Sequence, residues 1–175
     1  LAGEASGDLH GSNLAKAIKQ EDTEALLQGW GGELMEEVGV RITKHYRELA
    51  FMGFIEVIKN IRTIQKNFKL SKKDILDFQP DVLILIDYPG FNLRMAKWAK
   101  EKNIPVVYYI SPQVWAWKEK RILQIKKYTD RMLVILPFEK KFYQKWKMDV
   151  DYVGHPLIEA VDTYRKKDRT YLNSN

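Results

Sequence analysis

Five short motifs carry the side chains capable of chemistry. In Asp87-Tyr88-Pro89-Gly90-Phe91-Asn92, a carboxylate closes the aliphatic run Asp81 to Ile86. A carboxylate at the end of an apolar strand is partly desolvated, which suits a general base; a carboxylate satisfied by loop N–H groups fits the same spacing. Tyr88 precedes proline and is expected in extended geometry. Asn92 falls near a helix start, where it would act as a cap or face a ligand. In Gly3-Glu4-Ala5-Ser6-Gly7-Asp8 and Gly11, glycines bracket two carboxylates and a hydroxyl. Such a loop lets the backbone approach a ligand closely, and the helix after it offers free N–H groups to an anion. Ser6 or Asp8 serving as a plain N-cap is the alternative. The spacing matches neither a Walker A loop nor the dinucleotide fingerprint.

Gly29-Trp30-Gly31-Gly32 reads as a second glycine turn. Tyr108-Tyr109-Ile110-Ser111-Pro112-Gln113-Val114-Trp115-Ala116-Trp117 crowds aromatics, a serine and a glutamine on a strand-to-helix loop. Tyr109, Gln113 and Trp115 are its candidate ligand contacts, with one of the two indoles expected to pack beneath the loop. Val153-Gly154-His155-Pro156 places His155 after a strand, either at a ligand edge or in a structural role. His10 and His45 are too far apart in sequence to suggest a metal cluster and nothing has zinc-ligand spacing, so no metal is expected, and no cofactor is expected either.

These motifs need a scaffold that collects strand ends at one edge. Asp81–Asp87, Ile104–Ser111 and Arg131–Leu136 are aliphatic runs that read as parallel strands buried on both faces. Shorter strands are expected at Ala25–Leu27 and Val150–Val153, with helices over Phe91–Lys102 and Pro137–Lys147. The alternation predicts an α/β, Rossmann-like, doubly wound parallel sheet, whose ligand edge is the carboxyl one. Almost nothing precedes the first loop, so a first strand is expected to be missing. Residues 1–163 read as one domain and 164–175, polar and charged, as a linker.

Composition bounds the partners. The chain has 175 residues, no cysteine, a formal charge of +6 and a pI near 9.3. Absence of cysteine excludes disulfides, thiolate metal sites and a cysteine nucleophile, and fits a reducing cytosol. No apolar run is long enough to span a membrane, and Leu1-Ala2-Gly3-Glu4 is not a signal peptide. Residues 51–78 form a basic amphipathic stretch. Its apolar positions Phe54, Val57, Ile58, Ile61, Ile64 and Phe68 interleave with Lys59, Arg62, Lys66, Lys69, Lys72 and Lys73. It reads either as a helix packed on the sheet or as one lying on an anionic membrane, and the cluster Phe51-Met52-Gly53-Phe54 favours keeping the second reading.

In order along the chain, Gly3–Asp8, Gly29–Gly32, Met52–Val57, Asp87–Asn92, Ser111–Trp117, Pro137–Glu139 and Gly154–Pro156 together resemble the lipid-A-disaccharide synthase family. The resemblance implies the N-terminal, acceptor-side half of a GT-B glycosyltransferase, whose absent C-terminal domain makes most contacts to UDP. It implies inverting transfer of 2,3-diacylglucosamine from its UDP derivative to the 6-hydroxyl of 2,3-diacylglucosamine 1-phosphate, in lipid A biosynthesis. Asp87 is the implied base, because Gly90 stands where relatives often carry a second Asp. Glu4, Ser6, Gly7, Asp8, Gly31, Gly32, Asn92, Tyr109, Gln113, Trp115 and His155 are the implied substrate contacts. Met52, Phe54, Val57, Ile58 and Ile61 are the implied acyl or membrane contacts. A peripheral position on the cytoplasmic face of the inner membrane and a homodimer are further expectations, and the chain alone is expected to be inert. Rival readings are another UDP-sugar enzyme of the same fold, such as a 2-epimerase, and a non-catalytic basic module that binds nucleic acid.

Overall fold

A computed structural model describes residues 1–49, 61–117, 121–156 and 158; the side chains of Ile61, Ala116 and Trp117 are not among those described. The elements are α1 (Ala5–Glu21), β1 (Gln28–Gly31), α2 (Glu33–Glu37), β2 (Arg41–His45), a 3-10 turn (Tyr46–Glu48), α3 (Ile61–Phe78), β3 (Leu83–Ile86), α4 (Pro89–Glu101), β4 (Val106–Tyr109), α5 (Val114–Trp117), α6 (Arg121–Tyr128), β5 (Arg131–Val134), α7 (Pro137–Lys145) and β6 (Asp151–Tyr152). All strand pairs are parallel: β1 with β2, and β3-β4-β5-β6 in that order.

Leu1 and Ala2 join the two sheets. The Leu1 nitrogen donates to the Ile84 carbonyl (2.6 Å) and the Ile86 N–H to the Leu1 carbonyl (3.0 Å). On the other side, the Ala2 N–H donates to the Trp30 carbonyl (2.9 Å), and Ala2 forms a parallel bridge with Ile86. The first strand position is therefore occupied between β1 and β3. The chain winds outward from it through β1 and β2, then returns to its other side for β3 to β6. This is a doubly wound sheet whose order reverses between Ala2 and β3, and ligands of such sheets bind outside the carboxyl ends at that point.

One face of the sheet is sealed. Leu83, Leu85, Val106, Tyr108, Met132 and Val134 are all buried there, in one core with Phe91, Met95, Ala96 and Ala99 of α4, Ile122 and Ile125 of α6, and Tyr143 of α7. On the opposite face Ala2, Ala15, Met35 and Ile86 form a smaller core, while Ile84, Val107, Tyr109 and Leu133 are only half-buried. The expectation of burial on both faces holds for one face, because α1 and α2 cover only part of the other.

Three local expectations are corrected. The strand placed at Ala25–Leu27 lies at Gln28–Gly31, and Leu26 is 82% exposed. The glycine run is thus mostly strand, paired in parallel with β2, and the Met35 sulfur occupies the space that a Cβ at Gly31 would need. β2, whose burial alternates along a partly exposed strand, lacks the continuous apolar run that marks β3 to β5. Tyr88 is left-handed (φ 47°, ψ 57°), not extended. Its carbonyl must accept from the Phe91 and Asn92 N–H groups to start α4 within two residues of β3.

Candidate active site

At the point where the sheet order reverses, two loops meet: Gly3-Glu4 entering α1, and Asp87-Tyr88 entering α4. Their approach is close. A Cβ on Gly3 would lie 2.5 Å from the Tyr88 ring, so glycine is required there for steric reasons. Asp87 and Tyr88 are both left-handed (φ 44° and 47°), each at a cost of about 1–3 kcal/mol that the surroundings must offset. The buried Asn92 amide does so by donating to the Asp87 carbonyl (2.8 Å) and the Ile86 carbonyl (3.1 Å), with a longer contact to Leu1 (3.4 Å). The buried Tyr108 hydroxyl also donates to the Asp87 carbonyl (2.6 Å). Asn92 therefore neither caps α4 nor points its amide at the crevice; it fixes the turn that aims Asp87.

The Asp87 carboxyl is half-buried. Burial raises its pKa above the ordinary carboxylate value, and the negative charge of Glu4 raises it further, against a lowering hydrogen bond from the Tyr88 backbone. Burial and Glu4 also raise the Tyr88 phenol. Glu4 itself is exposed at the N-cap of α1, with extended backbone and no side-chain capping bond. Ser6 is exposed in the first turn of that helix, where N–H groups have no intrahelical acceptor.

The second carboxylate of the opening loop does different work. Asp8 is 2% exposed and accepts from the backbone N–H groups of Gly32 (2.8 Å), Met35 (3.1 Å) and Leu34 (3.2 Å). It fastens α1 to the start of α2. Gly32 leaves room for that carboxylate and for the Tyr46 ring, both of which a Cβ would strike. Gly7 packs on Ala2. Asp8, Gly7, Gly31 and Gly32 thus shape the loop, whereas Glu4 and Ser6 present groups to solvent.

The remaining candidates line the same carboxyl edge. Gln113 is exposed and Trp115 half-buried after β4, and Trp115 meets the Phe138 ring edge-on at 5.1 Å. Tyr109 ends β4 and packs edge-on against His10 of α1 at 6.5 Å. His155 lies within electrostatic reach of His10, whose pKa is lowered first by burial and then by that neighbour. Motif reading singled out none of His10, Phe138 and Glu139 as a ligand-edge residue, and it named Tyr108 only as the first residue of the Tyr108–Trp117 motif. The Pro137-Phe138-Glu139 motif carried the signal for Phe138 and Glu139. Met52, Phe54, Val57 and Ile58, and the side chain of Ile61, lie outside the described residues. A separate cavity of about 570 Å³ sits between α1, α3, β1 and β3, and none of Glu4, Asp87, Gln113, Trp115 or His155 lines it. Among the described residues no group of three or more His, Asp or Glu could hold a metal ion, and no helix is long and apolar enough to cross a membrane.

Comparison with known proteins agrees with this architecture. The family model described as Lipid-A-disaccharide synthetase matches residues 1–173. Lipid-A-disaccharide synthase of Trichlorobacter lovleyi is 44% identical over 97% of this chain and 44% of its own length. The Coxiella burnetii protein of that name is 46% identical over 91% of this chain and 43% of its own. That of Geobacter metallireducens is 47% identical over 92% and 42%. The chain thus spans less than half the length of the curated relatives it matches. It belongs to the lipid-A-disaccharide synthetase family.

Proposed function

We propose that this chain supplies the acceptor side and the general base of a lipid-A-disaccharide synthase. The reaction is inverting transfer of 2,3-diacylglucosamine from its UDP derivative to the 6-hydroxyl of 2,3-diacylglucosamine 1-phosphate. One observation carries the reading: a half-buried carboxylate, Asp87, made more basic by burial and by Glu4, at the order reversal of a parallel sheet. A carboxylate of raised pKa accepts a proton more readily than one in water. Asp87 takes the acceptor hydroxyl proton, the hydroxyl oxygen forms a bond to the anomeric carbon, and the bond to UDP breaks on the opposite face with its electron pair leaving on the diphosphate.

The other roles follow from placement. Glu4 raises the basicity of Asp87 and, with Ser6 and the first N–H groups of α1, positions the acceptor. Gln113, Tyr109, Trp115 and His155 contact sugar or phosphate. Asn92, Asp8, Gly31 and Gly32 hold the loops that carry these groups. The UDP pocket belongs to the part of the relatives' length beyond this chain, reached through a linker at 164–175, so these residues alone are inert. Basic residues and residues 51–61 hold the protein against the anionic cytoplasmic face of the inner membrane as a homodimer.

The discriminating experiment compares acylated with unacylated UDP-glucosamine as donors for the full-length protein. Transfer from the acylated donor alone supports this reading. Turnover of the unacylated donor, with epimerisation at C2, would replace it with the sugar-epimerase reading.

A further inference from the structure

The cavity of about 570 Å³ between α1, α3, β1 and β3 matches a small-ligand pocket in size, but its walls are those of a gap in the sheet. It passes through the sheet from one helical layer to the other. Leu14 and Ile18 of α1 line it on one face, and Ile75 and Phe78 of α3 on the other. At the carboxyl end of this gap Leu1 and Ala2 already stand between β1 and β3 and hydrogen-bond to both.

The two strand edges facing the cavity are polar. In a parallel strand the N–H and C=O of one residue point the same way, and successive residues alternate. The Ala2 N–H donates to the Trp30 carbonyl and the Leu1 nitrogen to the Ile84 carbonyl. Trp30 and Ile84 therefore turn their N–H groups toward the gap, and Gln28 and Val82, two residues earlier, turn their carbonyls there. The residues between them point away: the Leu27 carbonyl accepts from the Arg41 N–H, and the Leu83 N–H donates to the Pro105 carbonyl. Gln28, Trp30, Val82 and Ile84 all line the cavity. A hydrocarbon ligand would fill the volume but leave those backbone groups unpaired, which is costly. Ahead of β1 and β3 the lining also carries the exposed carboxylates of Asp22, Glu24 and Asp81, which repel a fatty acid and attract a cation.

We infer that this cavity is the seat of a β-strand: about four apolar residues of the same protein that lead into Leu1, parallel to β1 and β3, with a cation at the amino end. Ala2 belongs to the smaller core on the α1 face, and Leu1 packs against the larger core on the other. The residue before Leu1 thus faces α1 and the one before that faces α3, so the strand is apolar at every position, as strands covered on both faces are. It runs directly into the Gly3-Glu4 loop, and its ladder fixes where Glu4 stands relative to Asp87.

The test uses the full-length protein. Hydrogen exchange needs no substitution: the amides of Trp30 and Ile84 should be protected to within about tenfold of the Tyr108 amide in the centre of the sheet. Faster exchange than that at either amide overturns the strand. The occupant is identified by replacing Phe78 or Leu14 with the photo-crosslinker p-benzoylphenylalanine, with thermal unfolding to verify folding. Adducts to the stretch directly preceding Leu1 are expected. Adducts to residues beyond 175, to a second copy or to lipid, or none at either position, overturn the assignment. Neither readout depends on turnover. Protein that gives both signals yet transfers no sugar would overturn the proposed function and leave the strand standing.

Discussion

Asp8→Asn separates the two carboxylates of the opening loop. The Asp8 side chain is 2% exposed and satisfies three backbone N–H groups at 2.8, 3.1 and 3.2 Å. Oδ1 accepts from Gly32 and Met35, and Oδ2 from Leu34. An asparagine carbonyl can keep the first two, but its NH₂ then faces the Leu34 N–H, donor against donor. One orphaned donor together with the loss of charge from the other two bonds costs about 2–4 kcal/mol. For a domain of this size that is a fall in melting temperature of roughly 5–15 °C. Urea denaturation of the wild type and variant, with unchanged m-value, measures it. Folded variant should bind acceptor as wild type does, because Asp8 points into the protein. A variant of unchanged stability but with an acceptor KM raised about tenfold would mean that Asp8 contacts the substrate and does not fasten α2.

Other expectations follow from the same geometry. Glu4→Gln removes the charge that, after burial, raises Asp87. The acid limb of the kcat/KM profile should therefore move to lower pH, and a limb that moves up or stays would contradict the pairing. The same shift has an inverted stability sign: folded Asp87 binds its proton more tightly than the unfolded chain does, so its contribution is most favourable below the ordinary carboxylate pKa and is lost as pH rises through the raised value. Asp87→Asn should flatten that part of the stability profile. Gly32→Ala drives a methyl into Tyr46 and the Asp8 carboxylate, and should destabilise by about 1–3 kcal/mol. Gly90→Ala meets nothing within 4 Å and should lie within about 0.5 kcal/mol of wild type in urea melts.

The parallel sheet was legible because β3, β4 and β5 are continuous aliphatic runs, a pattern few other folds require. β2 was not, since Arg41 to His45 alternates in burial along a partly exposed strand and resembles a loop in composition. Asp87 was legible as a strand-end carboxylate, and its position beside Glu4 needed only the strand order. The role of Asn92 was not, because a residue one turn into a helix ordinarily points outward or caps. Here the left-handed pair Asp87-Tyr88 turns its neighbouring carbonyls toward the Asn92 amide. The pre-proline rule failed at Tyr88 for the same reason: tertiary hydrogen bonds outweighed a local preference. Asp8 and Glu4 are chemically alike and four residues apart, one helical turn, yet one is buried against the start of α2 and the other is exposed at the N-cap of α1. Spacing alone could not tell them apart, since the difference lies in where α2 begins.

In the proposed reaction Asp87 takes the acceptor's proton. The most direct test of that role is the single-turnover rate of transfer by full-length Asp87→Asn, with both substrates saturating and folding verified by thermal melt. Loss of a general base predicts a rate lower by about 10²–10⁴-fold, with acceptor affinity little changed. A rate within about threefold of wild type would show that Asp87 is not the base and move that role elsewhere in the cleft.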